Sequence, residues 1–319
     1  MVLKNKKICI LYNEPKESDL PDRASVMDEV SLVKDTLLNL SCEVFLLPVD
    51  RKLDWIDILK KKGFDVVINL CEDFEGKPEG ESWVAGILET LEIPYTGSPP
   101  ESFSLCLDKI KAKILVKNYG IKTPKFFVVG EEDEIFFPLI LKPRKSDSSF
   151  LIEKKNLIFN EKDYKKRIKE LEKYNVLFFA EEYIDGREFN VSIFDDKVIG
   201  IGEVIFKTEP RILTYSSKWD KKSKDYALTP VIYPAEIDKK KEKEIENISL
   251  KIFNILEMRD YGRIDLRMDF KGEIYFIEAN PNPDISRDSG FYKALECRGI
   301  SYFQFIERLI ERACERRKL

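Results

Sequence analysis

Between Arg263 and Phe270 the chain alternates polar and apolar residues without a break. Arg263, Asp265, Arg267 and Asp269 fall on one face of an extended strand; Ile264, Leu266, Met268 and Phe270 fall on the other. A period of two marks a half-buried β-strand. Lys271-Gly272 follows, and glycine accepts the positive φ that a two-residue hairpin turn demands. Glu273 to Ala279 then reads as the returning strand. Counting outward from that turn pairs Phe270 with Glu273, Leu266 with Ile277, Asp265 with Glu278 and Arg263 with Asn280. Directly opposed side chains stand about 5 Å apart at Cβ, and like charges there repel. Two carboxylates held together beside an amide need a cation. Hard oxygen donors suit Mg²⁺ (or Mn²⁺), which keeps its other positions for water and phosphate oxygens. The plainer reading is a surface hairpin with scattered charge. It must explain why Glu278 closes the apolar run Ile274, Tyr275, Phe276, Ile277, where an unused charge is costly.

Composition limits what such a site can do. Histidine is absent, which removes His-activated nucleophiles, a His general base and His-ligated zinc. Chemistry falls to carboxylates, lysines, arginines, hydroxyls and a bound cofactor. The 319 residues, 43% hydrophobic and 35% charged, describe a globular chain long enough for two or three lobes. A net charge of −4 gives no case for a nucleic-acid partner. No apolar run approaches ~18 residues, so no membrane span is expected. The six cysteines lack C-x-x-C spacing and read as free thiols in a reducing, cytoplasmic setting.

In chain order, strands are expected at 7–12, 43–49, 64–70 and 93–97. Helices from Ser25 to about Leu40, at 53–62 and at 82–91 separate them. This spacing implies parallel βαβ units whose ligands gather at the carboxyl ends of the strands. Ser98-Pro99-Pro100 is a natural linker. A helix from about Pro100 to Gly120 carries Asp108, Lys109 and Lys113. Strands follow at 125–129, 138–143, 176–183, 188–194 and 198–206, with helices at 161–173 and 239–258. Two final helices are expected, at about 289–298 and 301–317. Residues 207–230 are polar and aperiodic, and a loop of that length in a compact protein is usually functional, often a lid.

Lys142 ends the apolar strand Leu139-Ile140-Leu141 and leads into a hydroxyl-rich loop. A lysine so placed binds phosphate as a point charge, with Ser148 and Ser149 as further donors. Taken alone, it is equally a strand-end lysine that snorkels, and Lys109 alone is a helix lysine in water. Glu181 and Glu182 fall on opposite faces of their strand. Glu188, past the turn at Asp185-Gly186, could accept from a ribose diol or simply decorate a hairpin tip. Phosphate lysines, a ribose carboxylate and a metal pair nevertheless occur in an order that one nucleotide site could use.

The chain resembles ATP-grasp enzymes of the D-alanine–D-alanine ligase type, in a divergent branch. The matching motifs are NLCE (69–72), PYTGS (94–98), DK (108–109), LKP (141–143), EEYIDGREF (181–189), GRID (262–265) and EANPNP (278–283). The resemblance implies an α/β ATP-grasp fold of three lobes: an N-terminal parallel βαβ domain (1–98), a small lobe (99–180) and a larger, metal-bearing lobe (181–319). ATP would lie between the last two. It further implies Lys109 and Lys142 at phosphate and Glu181 at the adenine amino group. Glu182 and Ile184 would lie along the adenine edge, and Glu188 at the ribose. Asp265, Glu278 and Asn280 would be metal ligands, and Arg263 would steady an oxyanion. Glu29 and Ser31 would meet the first substrate's ammonium, and Lys218 would be a lid lysine reaching phosphate. Departures from the family pattern fall in the loop 144–150, which lacks glycine, and at Asp284, where glycine is usual. Cys71 and Glu72 stand where a histidine is common, and Trp219 replaces a lid tyrosine.

The function so implied is ATP- and Mg²⁺-dependent joining of a carboxylate to an amine through an acyl phosphate, with amino acids or small peptides as substrates. The resemblance admits a homodimer without requiring one. Two rivals stand beside it: true D-alanyl–D-alanine synthesis, and a non-catalytic ATP-binding regulatory module suggested by the altered loop and Asp284.

Overall fold

The computed structural model describes residues 3–15, 25–132, 134–146 and 149–316. The first sheet is parallel, in the order β2 (Glu43–Pro48), β1 (Lys7–Tyr12), β3 (Val66–Leu70). Helices α1 (Val26–Asn39), α2 (Asp54–Lys62) and α3 (Gly80–Thr90) alternate with its strands. Every residue of β3 is buried, as expected of a strand covered on both faces. Ser25 stands at the N-cap of α1 but makes no side-chain cap bond.

The expected strand at 93–97 is reduced to one parallel bridge, Val67 to Tyr95. Pro94 has no N–H to give a ladder, and Gly97 turns away at φ +92°. The helix expected from Pro100 to Gly120 is two: α4 (Pro100–Leu107) and α5 (Lys109–Asn118). Asp108 leaves the helical region, and its carboxylate accepts from the Lys111 amide, capping α5. The Lys109 amide goes instead to the Arg144 carbonyl. An Asp side chain that competes for backbone N–H groups breaks helices in this way.

The second sheet is antiparallel, in the order β4 (Phe126–Val128), β7 (Phe178–Glu182), β5 (Leu139–Pro143), β6 (Leu157–Ile158). Its face is covered by α6 (Glu161–Leu171), through Tyr164 and Leu171. The third sheet has five strands. They are ordered β10 (Val231–Ile232), β9 (Lys197–Val204), β8 (Gly186–Phe194), β11 (Tyr261–Asp269), β12 (Ile274–Asn280). Helix α9 (Lys239–Ile255) and α5 pack on one face of it, around Phe189, Ile264 and Phe276. The lid segment holds two short helices, α7 (Tyr215–Trp219) and α8 (Lys224–Leu228). Last come α10 (Gly290–Cys297) and α11 (Tyr302–Arg316). Helix α11 lies against α1 and β3, so Phe305, Leu309 and Ile310 share one core with Ile8, Ile10 and Ile68 of the first sheet.

The β11–β12 register holds where it matters and fails where it does not. Asp265 faces Glu278 and Arg263 faces Asn280, but Leu266 faces Phe276 rather than Ile277. The turn is one residue longer than expected: Phe270-Lys271-Gly272, with Gly272 at φ +83°. The Asp269 carboxylate accepts from the Lys271 and Glu273 amides and pins this wider turn. A β-bulge at Ile277 adds one residue back on β12. The two irregularities cancel, and the carboxylate pair survives.

Candidate active site

The β11–β12 hairpin presents Arg263, Asp265 and Glu278 to a cleft whose other wall is β5 and β7. Asp265 is buried, with its carboxylate in the fork of Arg263 at 2.7 and 3.0 Å. The Asn190 amide of β8 adds a third donor at 2.9 Å. Across the ladder, Glu278 pairs with the Lys109 ammonium at 3.5 Å. Lys109 also donates to the Ser146 carbonyl. Burial alone would push the Glu278 carboxyl up, but Lys109, Lys218, Lys142 and Arg263 outweigh it and hold it at about 2. It is therefore ionised at neutral pH among four cations.

Behind this pair lies a buried ion triad. Glu181 of β7 receives Lys142 on one oxygen and Lys113 on the other, each at 2.6 Å. Burial again pushes the carboxyl up, and the two lysines outweigh it and hold Glu181 below the ordinary carboxylate range. The Lys113 ammonium, wholly removed from water, is brought down to about 8 by that burial, against the pull of Glu181. Its remaining N–H groups donate to the carbonyls of Phe276 and Ile277, at 3.2 and 2.7 Å. These are the carbonyls at the bulge. Lys113 thus ties the four-stranded sheet to the hairpin.

Glu182 points the other way, half exposed, and accepts from the Lys125 amide. Ile184 is buried, and Glu188 lines the same narrow cleft with Lys142, Ser149, Tyr183 and Lys218. Its open space is about 60 Å³. Ser149 takes φ +58°, as does Leu151, so the glycine-free loop keeps a left-handed conformation without glycine. Ser148 lies outside the described residues. A second, wider cavity of about 470 Å³ adjoins Glu278, lined among others by Trp219, Tyr233, Arg263, Asn280, Asp284 and Glu72.

Glu29 reaches this end of the molecule from α1. It is buried and accepts from the Ile285 amide at 3.2 Å. Burial first, then the charge of Asp284, raises its carboxyl well above the ordinary range. Ser31 does not join it. Two residues further along a helix is about 200° around the axis, and Ser31 is exposed.

Among the described residues no trio of Asp, Glu, Cys or His comes together as a metal cluster. The hard-oxygen groups side by side on the hairpin are Asp265, Glu278 and the Asn280 amide. The Asn280 oxygen already accepts from the Asn282 amide, with a lone pair to spare. Two carboxylates that now lean on Arg263 and Lys109 fit a magnesium ion.

Several side chains that hold this arrangement together have no role assigned to them by the sequence alone. Lys113 lies one helical turn from Lys109, a spacing that puts both on one face and was available to be read. Arg144 grips Asp108 in a fork at 2.9 and 2.8 Å and so fixes the start of α5. Asn190 and Arg267 gave no signal beyond their place in an alternating strand.

A carboxylate-bearing antiparallel sheet facing a lysine-bearing one, behind a parallel βαβ unit, is the ATP-grasp fold. Comparison narrows this further. The sequence model described as "D-ala D-ala ligase C-terminus" matches residues 107–311. D-alanine–D-alanine ligase B of Clostridium perfringens is 30% identical, over 84% of this chain and 86% of its own length. The uncharacterized protein y4sG of Sinorhizobium fredii is 31% identical, over 79% and 75%. Among solved structures, the D-alanine–D-alanine ligase of Bacillus anthracis complexed with ATP shares the fold at a TM-score of 0.79 and 23% identity, over 99% of both chains. The VanG D-Ala:D-Ser ligase of Enterococcus faecalis does so at 0.77 and 21%, over 97% of this chain and 100% of that one. The chain belongs to the D-alanine–D-alanine ligase family, and is an ATP-dependent, ADP-forming ligase that makes C–N bonds.

Proposed function

We propose that this enzyme joins the carboxylate of an amino acid or small peptide to an amine, through an acyl phosphate, in the cleft between β5–β7 and the β11–β12 hairpin. The observation that carries it is Glu278, ionised opposite Asp265 within reach of Lys109, Lys142 and Lys218. A substrate carboxylate oxygen attacks the γ-phosphorus of ATP in line, and the bond to ADP breaks. Lys109, Lys142 and Lys218 hold the phosphates by fixed charge. Asp265, Glu278 and Asn280 would hold Mg²⁺, which when bound offsets charge on the phosphates. The amine then attacks the acyl carbon, phosphate leaves and the amine gives up a proton. Arg263 steadies the oxyanion, and the lid keeps water from the acyl phosphate. Glu181 would meet the adenine amino group, the backbone at Glu182 and Ile184 the adenine edge, Glu188 the ribose and Glu29 the ammonium of the first substrate. A lobe boundary just past Glu182, rather than at 180, keeps β7 with its own sheet.

The test is amine-dependent phosphate release from ATP with pooled amino acids and dipeptides, product masses being read directly. Wild type is expected to turn over and Glu278→Gln to fall at least about a hundredfold, on the scale of a lost electrostatic partner to developing charge. Equal rates would remove the metal role. D-alanine alone is a separate arm, motivated by the named relatives. Asp284 beside Glu29 argues for a different amino-acid pocket.

A further inference from the structure

We infer that Arg267 is a positioning residue of the nucleotide site, aiming Glu188 at the ribose and seating the lid at the same time. The inference rests on the reading of Glu188 as the ribose acceptor. Arg267 is 6% exposed, on β11 between β8 and β12. Its Nε and Nη2 both donate to Glu188, at 2.9 and 2.6 Å, and both choose the same oxygen, Oε2. The other carboxylate oxygen is left uncommitted to the arginine, on a side chain that lines the cleft. Nη1 donates to the carbonyl of Ile184 at 2.8 Å, on the segment that would run along adenine. Nη2 also donates to the carbonyl of Arg211, at the root of the lid. The Tyr183 hydroxyl donates to that same carbonyl at 3.3 Å. The guanidinium lies over the rings of Tyr183 and Phe206, 5.4 Å from each centroid.

One planar fork therefore joins the Ile184–Glu188 segment to Arg211 at the root of the lid. Lysine cannot replace it, because a point charge cannot hold two carbonyls and a carboxylate in one plane. The geometry leaves one oxygen of Glu188 for a ligand and locks the direction in which it faces. It also makes the lid's root a neighbour of the ribose carboxylate, so what engages one is felt at the other.

Titration calorimetry with ATP and with 2′,3′-dideoxy-ATP, both with Mg²⁺, tests this on wild type, Glu188→Gln, Arg267→Lys and Arg267→Met. Hydrogen bonds from the ribose hydroxyls to a side-chain carboxylate predict that wild type prefers ATP by about tenfold or more. The preference is expected to fall to about threefold or less in Glu188→Gln and in both Arg267 variants. A merely structural defect would weaken both nucleotides alike and leave their ratio intact. If wild type shows no preference, Glu188 is not the ribose acceptor and the inference falls with that reading. If wild type prefers ATP and the Arg267 variants keep that preference, the inference alone is overturned. Should Arg267→Met fail to fold, with Glu188 left unpaired, Arg267→Lys decides. Hydrogen exchange over residues 207–214 reads the lid. ATP should slow it in wild type and not in Arg267→Lys, and equal slowing in both overturns the coupling.

Discussion

Glu29 sits on the inner side of α1 with one backbone donor and two carboxylate neighbours, Asp284 and Glu72. A carboxyl whose folded pKa is raised holds more protons in the native state than in the unfolded chain. It therefore costs stability as pH rises from about its ordinary 4.5 toward the raised value. Glu29→Gln should raise Tm at pH 7 by about 2 °C or more and flatten the pH dependence above pH 5. Thermal melts from pH 4 to 8 check it, and an unchanged or lower Tm at pH 7 would contradict it. Glu278 has the opposite sign. Held at about 2, it contributes stability that is fully present above 4.5 and is lost as pH falls toward 2. In melts carried on down to pH 2, Glu278→Gln should lose part of the acid limb. The two carboxylates are a contrast in partners, not in residue type: Glu278 stands among cations and Glu29 among anions.

At the scale of the element, the hairpin bulge and α5 depend on each other. Lys113→Met removes the donor to two bulge carbonyls and leaves buried Glu181 with one lysine. The cost should be on the order of 3 kcal/mol, measurable by urea unfolding. Adding Glu181→Gln should recover most of it, because the uncompensated charge is then gone; no recovery would assign the loss to packing. The same elements show how far the sequence could be read. Alternation from Arg263 to Phe270 located both strands, and parity of counting placed Asp265 against Glu278. It did so because two one-residue errors, in the turn and at Ile277, have opposite sign. Nothing in a list of residues reveals a bulge whose carbonyls are satisfied by a lysine on another helix. Asp108 was visible as a polar residue, but its role as helix breaker needs Arg144 across the fold. Ser31 was carried by a motif and lost to helical geometry. Arg267 lay in plain alternation, and its importance comes from carbonyls at 184 and 211 that only the folded chain brings near.

For the molecule as a whole, Asp260 joins what the sequence separates. It is fully buried, accepts from the Gly97 amide at 2.9 Å and pairs with Arg312 and Arg316 of α11 at 3.1 and 2.6 Å. Arg316 also donates to the Tyr95 carbonyl. Asp260→Ala should lower stability by about 3 kcal/mol, since it takes a buried ionic partner from two arginines and the acceptor from one amide. The fall in Tm should be larger than for Lys221→Ala, whose partner Asp288 is exposed. Equal effects would mean the cluster is ornamental. The packing of α11 on the first sheet has a further outcome for how such a protein is made. While the polypeptide is still emerging from the ribosome, one apolar side of β1 and β3 has only α1 to shelter it. These strands must wait, wet and adhesive, for a helix that follows far along the chain.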